Sequence, residues 1–365
     1  MIKWILSLNI LGDILQHENL IRTAIKHKYD EMLLSDRIPD NLSDSELEEV
    51  FSIASKDLLK AVRFFFIDEH LSNFNYNQNK NFILQHENKW GNLLGLLNSY
   101  ICFSIWFNEV NNKALSLIIQ EEENHLAVVL FSLHSRSCLI AKEILILLKN
   151  GYPDAAISRW RTLNEVTTTL YFIIENGPDC AKKFLDHNIV DEYNSLKILK
   201  KSKENYPDRL AHLNFDSNIF EDLENKVKNL KSLYGSNFSS DYGWIEGFVP
   251  KGERYGYRTI EKAVELDHIL PFSKLANQYV HASSKSMFSS LSSKSGEDIS
   301  FDGGIYGLEL PIDCTLLSLN LINTKVLSYF SKTENELNGD NVITTILLDY
   351  YFKKIRDEIL YVMKL

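Results

Sequence analysis

The chain has 365 residues, 45% of them apolar and 24% charged, with a formal net charge of −10 and a sequence pI near 5.5. That length buries a sizeable core as one large domain or two. The acidity excludes a protein that coats nucleic acid through non-specific phosphate contacts, which need a basic face, but does not exclude an enzyme acting on RNA at a local site.

Seven prolines and fifteen glycines favour long helices with short connections over a strand-rich sandwich, so the expected fold class is all-α, a helical bundle. In chain order, helices are expected at about 2–30, 44–70 and 90–118. Ser43-Asp44-Ser45-Glu46 starts the second with a capping oxygen and acids in its first turn, and the Asn-rich stretch Asn73 to Asn81 reads as a loop. The apolar run after Met1 is interrupted by Asn9 and Asp13 and does not read as a signal peptide. Leu93 to Phe107 is the most apolar stretch, yet it is too short to span a bilayer and carries Asn98, Ser99 and Ser104, so a buried helix is expected and no membrane contact.

Glu121-Glu122-Glu123-Asn124-His125 then suits a helix N-terminus, with the helix running to Lys149 and stopping at Asn150-Gly151-Tyr152-Pro153. Asp154 opens a second helix that ends at Asn176-Gly177-Pro178, giving an αα-hairpin. Further helices are expected at about 179–203, 217–232, 259–267 and 271–291. The stretch Tyr234 to Tyr257, with five glycines interleaved with aromatics, is the least helical part. A small β-hairpin is compatible with Ser295 to Pro311, and helices at about 312–331 and 341–363 finish the chain. This divides the chain into an N-terminal helical region (1–118), a core bundle (119–294) and a C-terminal hairpin and helical pair packed on that core (295–365). Cys102, Cys138, Cys180 and Cys314 are widely spaced, offer neither a zinc framework nor a disulfide scaffold, and read as buried thiols in a reducing, cytoplasmic compartment.

One polar stripe stands out. On the helix from Asp154 to Glu175, Arg161, Asn164, Glu165 and Thr168 fall at i, i+3, i+4 and i+7, while Ile157, Trp160, Leu163, Val166, Leu170, Phe172 and Ile173 cover the other faces. A charge on so apolar a helix must be paired. The stripe is therefore either a structural Arg161–Glu165 staple or a ligand or catalytic site. A second stripe, Asn277, His281, Ser284 and Lys285, shares a face of the helix expected at 271–291. His281 reads either as a satisfied core or interface histidine or as a catalyst, since Arg, Glu and His together can stabilise an oxyanion and transfer a proton.

The Gly-Tyr-Pro-Asp-Ala-Ala turn, Arg-x-x-x-Glu at Arg161 and Glu165, a helix with Asp186 and Tyr193, and Tyr-Val-His-Ala-Ser around His281 together resemble a bacterial family, domain of unknown function 5677, over roughly Glu121 to Ser292. That family looks related to the helical "higher eukaryotes and prokaryotes nucleotide-binding" (HEPN) group, many of them metal-independent RNases of toxin–antitoxin and anti-phage systems. The group's motif is Arg, a polar residue, three more residues and His on one helix, usually paired in a homodimer. The resemblance implies that His281 acts as base and Asn277 as the polar residue. The Arg position, however, holds Ala276, leaving Lys274 or Arg161 to hold a phosphate.

Arg22…His27 and Arg63…His70 also fit the short Arg…His pattern, but at the frequency chance gives and outside the resembling region. Glu122-x-x-His125 and Glu265-x-x-His268, with Glu165 between them, loosely follow a di-iron carboxylate pattern. They too occur at chance frequency, and His268 stands just before Pro271 at a helix end, so no metal and no other cofactor is expected.

Two functions follow as expectations. The first is an anti-phage or toxin-like protein with metal-independent RNase or nucleotide-directed activity. His281, Arg161 and Glu165 would be catalytic, Asn277, Lys274, Asn164 and Ser284 would contact substrate, and Trp244 in the aromatic loop would stack on a base. The second is a non-catalytic helical sensor or interaction module of a bacterial defence system, with the cluster structural; Ala276 favours it. The resemblance implies RNA or a nucleotide, or a partner or antitoxin protein, as partners, and a homodimer.

Overall fold

The computed structural model describes residues 70–121, 124–281, 290–292, 303–333 and 339–364. The chain divides into two compact units, Met1–Ile83 and Leu84–Leu365. The helices expected at 2–30 and 44–70 lie outside the described residues, and the candidate site lies in the second unit.

The first described helix, α1, spans His70–Glu121 and runs through Asn73 to Asn81, where a loop was expected. No glycine or proline falls between His70 and Trp90. Each asparagine costs a helix only up to roughly 0.7 kcal/mol, and residues added to an existing helix escape the unfavourable nucleation step. Leu93, Leu97, Tyr100, Ile101 and Phe107 of α1 are buried at helical spacing.

Helix α2 spans His125–Lys149. Its start corrects the expectation of a helix opening on acids: Glu121 closes α1, and Asn124 caps α2, its Oδ1 accepting from the Ala127 N–H at 3.0 Å. The turn that follows uses Gly151 at φ 73°, which glycine adopts without steric cost, and Pro153 at the first helical turn, where its missing N–H costs nothing.

Helix α3 spans Pro153–Asn205 but is broken at Gly177, whose φ of 78° and ψ of −163° are non-helical. Pro178 adds to the break by offering no N–H. The break stands at the expected helix end, and the chain resumes as a helix directly after it, so α3 has two arms, 153–176 and 178–205. Helix α4 (Ser217–Tyr234), capped by Asp216, is followed by two short 3₁₀ turns, Ser236–Ser239 and Gly243–Ile245, in the stretch expected to be least helical. Helices α5 (Tyr257–Ala263), α6 (Leu270–Val280), α7 (Glu309–Thr333) and α8 (Gly339–Val362) complete the order.

One expectation fails here, and another falls mostly outside the described residues. Helix α6 stops at Val280 rather than near Leu291, because Tyr279-Val280-His281 is a run of weak helix formers. No strand occurs among the described residues; 303–308 turns into α7, and 295–302 lies outside them.

Helix α3 is central, packing against α2, α4, α5, α6 and α7, while α7 also packs on α2 and α8. One apolar core joins α1 to α8. Polar links stitch it: Trp160 Nε1–H donates to Ser318 Oγ at 2.9 Å, and Asn323 Nδ2 donates to Ser104 Oγ at 2.9 Å and Tyr100 OH at 3.3 Å. No helix of the described residues is long and apolar enough to cross a membrane.

Candidate functional site: a pocket between the arms of α3

The expected stripe exists on the first arm of α3, but its members divide their work. Asn164 is 1% exposed. Its Nδ2 donates to Tyr257 OH at 2.8 Å and to Ser273 Oγ at 3.3 Å, and Thr168 Oγ1 lies 3.1 Å from the same Tyr257 oxygen. These two residues therefore pin α5 and α6 to α3. Burial, opposed by the Thr168 hydrogen bond, pushes the Tyr257 phenol well above its ordinary range.

Arg161 and Glu165 form the expected ion pair, Nη2 to Oε1 at 2.9 Å, with about a third of each side chain exposed. Burial raises the Glu165 pKa above the ordinary carboxylate range, and the Arg161 charge pulls the other way. Glu165 lines a cavity of about 390 Å³ together with Thr162, Val166 and Thr169 of the same arm. Phe184, His187 and Asp191 of the second arm face them, Leu133 comes from α2, and Asp241, Tyr242 and Trp244 come from the 3₁₀ segment. The break at Gly177 makes the site, because it lets residues 162–169 of the first arm and 184–191 of the second line the same space.

The second arm is held to the loop through His187, which is nearly buried. Its Nε2 lies 3.1 Å from the Ser240 carbonyl oxygen and its Nδ1 3.3 Å from Asp191 Oδ1. Lys183 donates to the Glu246 carbonyl at 2.9 Å. Tyr242 sits at φ 58°, ψ 18°, a left-handed conformation uncommon for an aromatic residue. Burial and then the Glu165 charge raise its phenol pKa, against Arg161. Gly243 is required next to it, since a Cβ there would stand 2.4 Å from the Phe238 carbonyl oxygen.

The remaining expected site residues are placed elsewhere. Trp244 is only 4% exposed and packs edge-on against Phe172 and Phe184, with centroids 5.7 and 5.0 Å away. It is part of the pocket's apolar floor, and its burial corrects the expectation of an open stacking surface. His281 is the exposed C-cap of α6, in extended conformation, its N–H bonded to the Asn277 carbonyl at 3.1 Å. It is not among the residues lining the Glu165 cavity. Lys274 is exposed, Ala276 fully buried, and Asn277 partly buried. Ser284 lies outside the described residues. Sequence reasoning passed over His187, Asp191, Asp241 and Tyr242; the i, i+4 spacing of His187 and Asp191 was the available signal, but alone it reads as an ordinary helix-surface pair. Among the described residues no group of three or more His, Cys, Asp or Glu side chains is placed to hold a metal ion.

These features define an all-α bundle protein with an acidic pocket at a helix break. Residues 127–298 match the model of a family of unknown function (DUF5677). No curated protein and no solved structure matches the chain.

Proposed function

We propose that this protein is a non-catalytic helical module that senses or relays a signal within a bacterial defence system, and not an RNase. The observation that carries the reading is the pocket's charge. Three carboxylates, Glu165, Asp191 and Asp241, and no lysine or arginine are among its lining residues. A phosphodiester entering it would meet like charge, whereas phosphoryl and RNA chemistry needs cations aimed at the phosphate. Arg161, on the same arm as Glu165, is paired with it. On α6, a fully buried alanine occupies the position where the nuclease pattern wants arginine. The assignment to bacterial defence comes from the sequence resemblance of the core segment alone.

Induced expression in a bacterial host tests this. The module reading expects unchanged growth and intact cellular RNA for the wild type, Arg161→Ala and His281→Ala alike. Growth arrest with RNA breakdown, abolished in either variant while the chain still folds, would install the nuclease reading instead.

A further inference from the structure

We propose that the cavity between the arms of α3 binds a small organic cation, an ammonium or guanidinium group carried on an apolar body. The proposal rests on the non-catalytic reading and names the ligand class of the same pocket.

Size and lining agree with it. A cavity of about 390 Å³ lies at the small end of the range that small-molecule sites occupy. Its floor is Leu133, Val166, Phe184 and Trp244, so an apolar body would leave water there. The polar groups around it are only partly engaged by the fold. Arg161 engages Oε1 of Glu165, the ion-pair partner of Asp191 is His187, and Asp241 makes no ion pair among the described residues. The hydroxyls of Tyr242 and Thr169 make no hydrogen bond among the described residues either.

Three carboxylates against one guanidinium give the pocket a negative potential, which draws in cations and repels carboxylates and phosphates. The aromatic residues Phe184, Tyr242 and Trp244 in the lining favour a cation over an anion. A cation carried on an apolar body matches a lining that combines Leu133, Val166, Phe184 and Trp244 with Glu165, Asp191 and Asp241. The carboxylate of Glu165 is held at the boundary between water and the apolar floor, where a charge-assisted hydrogen bond is stronger than in bulk water.

Isothermal titration of the purified full chain with 2-phenylethylamine and tryptamine tests the proposal, with 3-phenylpropionate and 2-phenylethanol as anionic and neutral isosteres. Saturable binding by an amine and by neither isostere is expected. Glu165→Gln should weaken it by roughly tenfold or more, as loss of a charged hydrogen-bond partner does. Because Glu165 also pairs with Arg161, Asp241→Asn on the exposed loop serves as the second variant and should weaken it several-fold with the fold undisturbed. Failure of both amines to saturate, equal binding of amine and propionate, or an unchanged affinity in Asp241→Asn would each overturn the ligand class. None of these results bears on the non-catalytic reading, which falls only if RNA is cleaved.

Discussion

His134 makes the stability of this protein depend on pH in a way that can be worked out in advance. The ring is fully buried, its Nε2 lies 2.8 Å from Asn323 Oδ1, and Phe107 packs edge-on against it. Burial lowers its pKa from 6.5 to about 4, with the Asn323 hydrogen bond opposing. The sign follows from which state takes the proton. Below 6.5 the unfolded chain binds it and the folded chain does not, so stability is full above 6.5, falls as the pH drops towards 4, and levels off below. At about 1.4 kcal/mol per pH unit, the whole window is worth about 3 kcal/mol, and about 2 kcal/mol is already lost at pH 5. The assay is urea unfolding at pH 7.5 and pH 5.0 for the wild type and His134→Gln, which keeps a donor towards Asn323 and does not titrate. Carboxylate effects are common to both proteins. The wild type should lose about 2 kcal/mol more than the variant between the two pH values; equal losses would refute the reasoning.

Gly177→Ala should cost about 1–3 kcal/mol in urea unfolding, because its backbone region is essentially reserved for glycine. Nothing lies within 4 Å of the added Cβ, so the cost is conformational and not a clash; a loss below about 0.5 kcal/mol would show that the break does not depend on glycine. Arg161→Ala should change stability by less than about 1 kcal/mol, since the pair is partly solvated, yet it should raise the Glu165 pKa further by removing the charge that lowers it. Carboxyl-carbon NMR titration reads that directly, and an unmoved or lowered midpoint contradicts it. Iodoacetamide should label Cys102 alone in the native protein, because Cys138, Cys180 and Cys314 are buried with thiols pushed up to about 12. Equal labelling of all four before unfolding, seen by mass spectrometry, would contradict the packing.

Much of the helical order was legible because its punctuation is local. Asn150-Gly151-Tyr152-Pro153 announces a turn by residue type, and Asn176-Gly177-Pro178 announces a break. The Arg161–Glu165 pair was legible for the same reason, since i, i+4 spacing puts two side chains on one face whatever surrounds them. The pocket was not. That Thr162, Glu165 and Thr169 look across at Phe184, His187 and Asp191 depends on how far the chain bends at Gly177 and on where the 3₁₀ segment lands, and no local pattern encodes either. The expected end of α6 failed on a boundary: the helix closes at Val280 with His281 as its C-cap, where a periodicity argument carried it on towards Leu291. The asparagine-rich stretch misled for the opposite reason, because weak propensity was outweighed by continuity with the helix beyond it.

The central claim, that the polar residues of this bundle bind and do not cleave, is tested most directly with the purified chain and end-labelled single-stranded RNA at neutral pH. The account predicts that the label stays in full-length RNA to the same extent with the wild type, His281→Ala and buffer alone. Cleavage by the wild type that disappears in His281→Ala would contradict it.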